Sequence, residues 1–471
     1  MIAANPPTST DLTIYNGGFA LVRESRNLEL KTGLQDVAVQ DVAQMIEANS
    51  VAIRSLSSPG SFSVLEQNYQ YDLISPIAIL NKAVGSQITF NRVFPDGSRE
   101  RLTGTLMSAP TQIVSDANGG QSHTWNGMVI QTADGRVILN PSGEIEVDSI
   151  PAGLITKPTL VWKLDSAQAG TNNVELSYIT QGMSWKSDYV LSLDDQGKKG
   201  DFKGWVTLTN NCGTSFSVRI LKLLAGDVQR VTNQPTGGFG GGGARMAAKA
   251  ADANQFEEEQ FADYHLYTLT RPTEVRNREI KQVSLLEALN VPVKKKLVVD
   301  AMRYYRGYQP NEGQVGMGEI KPLIQLVIKN DKASNLGMPL PMGTVKVYQR
   351  DSSGSLQLLG EDNIDHTPKD EEVTLTVGRA FDIRAERKRT AFKWFRVDGN
   401  IHGAVETFEI EVRNRKESAE SVTVLERHWW EHVLSEMSMQ PKKLDANTYE
   451  FTVDLKPNEV KTIKYTVTTR W

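Results

Sequence analysis

The sequence predicts an all-β protein of several domains with few short helices. Apolar and polar residues alternate with a period of two in segments such as 206–209 and 219–223, as side chains do on the two faces of a strand. Turn-forming residues, as in 194–197, separate these segments. The chain of 471 residues also exceeds the roughly 250–300 residues at which a single core stops growing.

The N-terminal part, residues 1–160, is predicted to hold β hairpins and a small barrel. Asn16-Gly17-Gly18 separates the apolar segments 12–15 and 19–22, a strong hairpin signal. Residues 75–85 predict a short helix, because Ser75 suits the N-cap, Pro76 the first turn and Gly85 the end. Five or six short strands between 85 and 150 then favour a barrel of the SH3 kind.

The rest of the chain is predicted to form two further domains. A central β domain, residues 161–384, contains a Gly/Ala-rich and then acidic insertion at 236–261, which is expected to be mobile because it cannot bury apolar area. A short helix is expected at 284–289. Hairpins in 385–471 predict a C-terminal sandwich of the immunoglobulin type.

Composition limits the function classes. The net charge of −4 argues against a uniformly basic nucleic-acid binder but allows a local basic patch. The single cysteine, Cys212, excludes an internal disulfide framework and a Cys-rich zinc site. No apolar run reaches the ~18 residues of a membrane-spanning helix. The N-terminus lacks the pattern of a signal peptide, so a cytoplasmic protein and a processed, exported chain both remain open. No motif predicts a cofactor.

Six segments together resemble the family catalogued as domain of unknown function 4139, whose relatives include mucoidy inhibitor A-like proteins. They are residues 12–24, 65–73, 182–189, 204–210, 264–291 and 377–382. The resemblance implies a mostly β, multi-domain, usually bacterial and often exported protein, and it implies no reaction, cofactor or catalytic residue. The chain departs from the mucoidy-inhibitor pattern because it lacks the long heptad repeat of a preceding coiled coil.

His428, Glu431 and His432 match the zinc pattern H-x-x-E-H. On a helix, the two histidines would share a face and bind the metal while the glutamate activates water. The preceding residues 421–425 are strand-like, however, which would separate the histidines by ~13 Å. The alternative is a strand end or turn with tryptophan packing. Metal binding through His428 and His432 is therefore the more remote of the two interpretations.

Two basic stretches interleaved with aromatic residues, 294–306 and 384–396, suit phosphate neutralisation and base stacking. The candidate DNA-binding residues are Lys294, Lys295, Lys296, Arg303, Arg306, Arg384, Arg387, Lys388, Arg389, Lys393 and Arg396. The alternative is that both stretches are amphipathic strands, with aromatic residues towards the core and cations towards water.

The leading hypothesis is a non-enzymatic binding or structural protein of the bacterial cell envelope that acts through exposed β surfaces. Its partner would be a protein or another envelope component, and exposed strand edges would also admit a second copy of the chain. The alternative is a DNA-binding protein that uses the basic stretches. A zinc hydrolase built on His428, Glu431 and His432 is a more remote alternative.

Overall fold

The structure, a computed structural model, describes residues 2–93, 96–115, 121–125, 127–141, 143–226, 228–230 and 255–471. Strands account for 61% of the residues and helices for 3%, which confirms the predicted all-β fold. No helix among these residues is long and apolar enough to cross a membrane. The chain forms two compact units. Unit 1 comprises Met1–Ser184, Thr209–Leu221 and Pro272–Glu279, and unit 2 comprises Trp185–Leu208, Lys222–Arg271 and Ile280–Trp471.

The first half of the chain contains one α-helix, α1 (Pro76–Lys82), and a short 3₁₀ turn at Ala48–Ser50. Its strands are β1 (Ile2–Ala3), β2 (Ser9–Tyr15), β3 (Phe19–Leu30), β4 (Gly33–Gln40), β5 (Ala52–Ser55), β6 (Phe62–Gln70), β7 (Gln87–Val93), β8 (Arg99–Leu106), β9 (Thr111–Ser115), β10 (Gln121–Trp125), β11 (Val129–Thr132), β12 (Val137–Leu139), β13 (Glu144–Val147), β14 (Thr159–Ser166), β15 (Gly170–Gln181), β16 (Met183–Leu193), β17 (Lys199–Asn210), β18 (Phe216–Val218) and β19 (Ile220–Ala225).

The second half adds a 3₁₀ turn at Lys332–Ser334. Its strands are β20 (Phe256–Phe261), β21 (Tyr264–Leu269), β22 (Thr273–Val275), β23 (Glu279–Pro292), β24 (Lys294–Asp300), β25 (Gly318–Ile320), β26 (Leu323–Lys329), β27 (Gly343–Arg350), β28 (Leu356–Ile364), β29 (Glu372–Arg379), β30 (Ile383–Val397), β31 (Asn400–Asn414), β32 (Glu420–Arg427), β33 (Glu431–Ser435), β34 (Lys442–Lys443), β35 (Thr448–Leu455) and β36 (Val460–Arg470).

Unit 1 contains the elements that the N-terminal sequence predicts. β2 pairs antiparallel with β3 across the Asn16-Gly17-Gly18 turn, and Gly18 has a φ of 87°, which glycine adopts without strain. The Ser75 side chain accepts a hydrogen bond from the Ala78 amide at the start of α1. The following strands form a five-stranded sheet in the order β12-β11-β8-β7-β13. The hairpin and the helix are therefore confirmed, and the SH3 likeness stays a prediction.

Unit 2 contains a two-sheet sandwich, which we call the C-terminal sandwich. Its sheets have the strand orders β29-β26-β24-β32-β35-β34 and β25-β30-β31-β36-β33. The core between them is built from alternate, inward-facing residues of both sheets, including Val299, Val424 and Phe451 from one and Ile410 and Ile463 from the other. Burial of each such side chain contributes about 1.5–3 kcal/mol. The immunoglobulin assignment remains a prediction.

The proposed domain boundaries fall within strands. The boundary after residue 160 lies inside β14, and the boundary after residue 384 lies inside β30. Neither position is a linker, and the sheets of the C-terminal sandwich already include β24 and β26. The period-two signal marks strands well but does not reveal which distant strands share a sheet.

Two local predictions are wrong. Residues 284–289, predicted as a helix, lie within β23, where Val283 and Leu285 are buried on one face, so tertiary packing overrides the helical propensity of Leu, Glu and Ala. The mobile insertion predicted at 236–261 includes residues that are ordered as a strand. β20 pairs with β21, and its first residue, Phe256, is buried. The earlier part of that insertion, up to residue 254, lies outside the described residues.

Candidate functional site

The two histidines of the H-x-x-E-H pattern lie on either side of a tight turn. His428 follows β32 and His432 lies in β33. Trp430 between them has a φ of 66°, in the left-handed region that turns the chain. The centroids of the two imidazole rings are 5.8 Å apart, much closer than two residues at this spacing on one strand. The two rings are therefore neighbours, but a turn and not a helix brings them together.

Tyrosine hydroxyls hold both imidazoles. Tyr465 donates its hydroxyl proton to Glu426. Its oxygen, 3.1 Å from Nε2 of His428, therefore accepts the Nε2–H of that ring. Nε2 of His432 lies 3.0 Å from the Tyr449 hydroxyl and accepts a hydrogen bond from it, since Nδ1 of His432 donates to the backbone carbonyl of Trp430. The nitrogen lone pair that a metal would need on His432 is thus already engaged.

The surroundings of His428 are those of a protein core. Burial, with the charge of Arg387 adding to it, lowers the pKa of His428 well below its usual value, so the ring is neutral at neutral pH. The adjacent cavity has a volume of about 10 Å³, the least that admits a water molecule. Glu431 is exposed, and the described residues contain no group of three or more His, Cys, Asp or Glu that could hold a metal. The zinc interpretation therefore stays an unsupported prediction.

An ion pair buried in the core joins the two sheets of the C-terminal sandwich. Arg387 of β30 donates from Nε and Nη2 to the carboxylate of Glu426 in β32, at 2.8–3.1 Å. The two side chains are only 3% and 1% exposed. The Arg387 guanidinium also lies 4.0 Å from the centroid of the Phe408 ring, a cation–π contact. The Arg387 side chain therefore faces the core.

Arg389, the next inward residue of β30, also forms a buried ion pair. It pairs with Glu406 of β31 at 2.9 Å, with exposures of 7% and 3%. Burial raises the pKa of Glu406, and the hydrogen bond from Arg389 opposes that shift. Arg389 also donates to the carbonyls of Asn311 and Gly313, at 2.6 and 3.0 Å. Arg389 thus fastens the loop before β25 onto the sheet.

Three cations of the second basic stretch are exposed to solvent. Lys388, Lys393 and Arg396 are exposed, although the Lys388 ammonium lies 3.0 Å from Glu386 on the same strand. Arg384 is partly exposed and lies over the Phe381 ring. The stretch is therefore an amphipathic strand, but two of its cations, and not only its aromatic residues, face inward.

The first basic stretch belongs to the other sheet of the C-terminal sandwich. Lys294 and Lys295 are exposed and Lys296 is half-buried on β24, and Lys295 lies 3.4 Å from Glu420. Arg303 and Arg306 are exposed in the loop that follows β24. The structure therefore does not combine the two stretches on one sheet.

Aromatic side chains line the inward face of β30 beyond its buried ion pairs. Phe392 and Trp394 contact each other edge-to-face at 4.7 Å, and Trp394 contacts Trp471 in the same way at 6.4 Å. The Trp394 indole donates to Glu312 at 3.2 Å. On the outward face, the Arg470 guanidinium lies 5.1 Å from the Phe395 ring centroid. These half-buried rings give the far part of β30 an apolar flank.

One backbone edge of β30 is open along this part. β25 pairs with β30 only between Gly318↔Arg387 and Ile320↔Ala385. Gly316, just before β25, and Gly318, its first residue, have φ values of 69° and 101°, which favour glycine. A groove of about 500 Å³ follows, lined by Gln314, Met317, Gly318, Arg387, Lys388, Arg389 and Thr390. No other described strand pairs with this side of residues 388–397, which we call the β30 edge.

No protein-family model matches the chain, and no match was found among the curated proteins. The resemblance to the family of domain of unknown function 4139 therefore stays a prediction. So do the bacterial origin and the envelope location that this resemblance implies.

Proposed function

We propose that the protein is a non-enzymatic binding protein that holds an extended segment of a partner against the β30 edge. The observation that carries this proposal is the pairing of β25 with β30, which stops at Arg387 although β30 continues to Val397. An edge strand presents unpaired N–H and C=O groups at the spacing of a neighbouring strand. Addition of a peptide strand to such an edge is a recurring mode of recognition.

The edge is held rigidly from its other side. β30 pairs with β31 along its whole length, from Ile383↔Asn414 to Val397↔Asn400. Arg387 and Arg389 fix the strand through their buried ion pairs. A preformed edge loses little conformational entropy when a partner binds, so more of the interaction free energy appears as affinity.

Binding of DNA is the competing interpretation of the same strand. The buried pairs of Arg387 and Arg389 leave Lys388, Lys393 and Arg396 as its exposed cations. Fewer phosphate contacts mean weaker affinity and a shallower salt dependence. The open strand edge favours a protein segment as the partner. That this partner belongs to the cell envelope remains a prediction from the sequence.

The proposal is tested by the fluorescence anisotropy of a labelled peptide of about ten residues, a typical maximal strand length, with alternating Thr and Val. We expect the full-length protein to bind it. A matched peptide has Pro in place of each Val. Because proline has no backbone N–H to donate, this peptide should not bind. Equal binding of the two peptides, or binding of neither, would contradict the proposal.

A labelled DNA duplex provides the second arm of the experiment. We expect no salt-sensitive binding of the duplex. Duplex binding that is lost in the variant Lys388→Ala/Lys393→Ala/Arg396→Ala, together with failure of the Thr-Val peptide, would overturn the proposal in favour of DNA binding.

A further inference from the structure

We infer that the segment bound at the β30 edge is acidic, with Asp or Glu at every second position and apolar residues between them. This inference rests on the proposed function and names the chemistry of the partner. It is argued from the side chains that flank the β30 edge on the two faces of the sheet.

The outward face of the β30 edge is cationic. Lys388 is 61% exposed, and its ammonium lies 3.0 Å from the carboxylate of Glu386 on the same strand. A bulge between Arg389 and Ala391 shifts the alternation by one residue, so that the outward positions beyond it are Ala391, Lys393 and Phe395. Lys393 is exposed. A strand added at this edge would therefore have ammonium groups beside its outward side chains at two points, one of them at the groove and one beyond it.

The inward face of the same edge is aromatic, and the carboxylate of Glu312 accepts a hydrogen bond from the Trp394 indole there. Phe392 and Trp394 are half-buried on this side, and Met317 lines the groove where β25 ends. Because side chains alternate between the faces of a strand, the partner residues that lie between its outward positions meet these apolar groups. Apolar side chains at those positions would bury more apolar surface than polar side chains would, which favours binding.

Charge selects among the strands that could pair here. Lysine on an edge strand opposes the addition of a basic strand, including a second copy of β30 itself. Opposite charges on directly opposed residues are favourable and like charges are unfavourable. Each well-placed carboxylate is expected to raise the affinity by about two- to fivefold over a neutral residue. An acidic, amphipathic strand satisfies both faces of the β30 edge.

The test compares three labelled peptides of about ten residues, in which Val alternates with Glu, Thr or Lys, by anisotropy with the full-length protein. We expect the Glu-Val peptide to bind about tenfold or more tightly than the Thr-Val peptide at low salt, and the Lys-Val peptide to bind most weakly. In the variant Lys388→Glu/Lys393→Glu, this order should reverse. Both substituted side chains are exposed, so the variant should unfold thermally like the wild type.

The outcomes separate this inference from the proposed function. Binding of the Thr-Val peptide with no preference for Glu-Val would overturn the acidic partner and leave edge binding intact. Binding of none of the three peptides would overturn both. A short DNA duplex that displaces the Glu-Val peptide as well as unlabelled Glu-Val does would also contradict the inference, because a duplex cannot pair as a strand.

Discussion

Nη2 of Arg387 lies 2.8 Å from Oε2 of Glu426, and this contact joins the two sheets of the C-terminal sandwich through its core. The two residues are 39 positions apart in the sequence. Removal of one member of such a pair leaves the other charged and buried without its partner, which typically costs ~3–5 kcal/mol. The ion pair therefore fixes the strand whose open edge we propose as the binding site.

Substitution Arg387→Ala should lower the free energy of unfolding by ~3–5 kcal/mol, because it leaves the Glu426 carboxylate buried without its cationic partner. The double substitution Arg387→Met/Glu426→Leu should cost less than Arg387→Ala, since it removes both charges of the pair and leaves neither buried without its partner. The measurement is urea unfolding, and Lys388→Ala, on the exposed side of the same strand, is the matched control with an effect within about 0.5 kcal/mol. A cost for Arg387→Ala no larger than that of the control would contradict this role.

His428 should make stability sensitive to acid. Burial lowers the pKa of His428 in the folded protein well below its usual value of 6.5, so the unfolded chain binds a proton that the folded chain does not. The contribution of His428 is fully present above about pH 6.5 and is lost as the pH falls, at up to ~1.4 kcal/mol per pH unit. We expect His428→Gln to show a smaller loss of stability between about pH 6.5 and 4.5.

The control for the histidine experiment is His402→Gln, because His402 is exposed. This variant should keep the acid sensitivity of the wild type. If His428→Gln and His402→Gln give the same dependence of the unfolding free energy on pH, the inference that His428 is buried and neutral is wrong.

Cys212 should be an unreactive thiol in the folded protein. Its side chain is buried, and burial raises the pKa of the thiol to about 11. Thiolate is the reactive form, so labelling with a thiol-specific disulfide reagent near pH 8 should be slow in native buffer and fast in concentrated urea. Equally fast labelling in the two conditions would show that the thiol is accessible.

Gly360 should tolerate no side chain. A Cβ at this position would lie 2.0 Å from the carbonyl oxygen of Val377, whereas a Cβ at Gly378 would contact nothing within 4 Å. Gly360→Ala should therefore lower the free energy of unfolding by about 1–3 kcal/mol, and Gly378→Ala should cost less. Chemical denaturation of the two variants tests this close approach, and equal effects would contradict it.

Local sequence patterns predicted much of this architecture. The Asn16-Gly17-Gly18 hairpin, the N-cap Ser75 and the period-two segments depend on neighbours close in sequence, and they form as expected. The helix predicted at 284–289 did not, because the choice between helix and strand for such residues is made by the surrounding sheet.

The candidate site could be predicted only in part. The alternation in β30 correctly indicated an amphipathic strand, but it could not show that Arg387 and Arg389 face inward, since their partners Glu426 and Glu406 lie on other strands. The pairing of β25 with β30 stops at Gly318↔Arg387 and leaves the edge open beyond it. This too depends on which strands pair in the sheet. The nearest signal in the sequence was glycine at positions 316 and 318.

The most direct test of edge binding is hydrogen exchange, followed by mass spectrometry, with and without saturating Glu-Val peptide. The strand β33, at the opposite edge of the same sheet, is the internal control. We expect slower amide exchange in residues 388–397 and unchanged exchange in Glu431–Ser435. Unchanged exchange at the β30 edge while the peptide is bound, or equal slowing at both edges, would contradict edge binding.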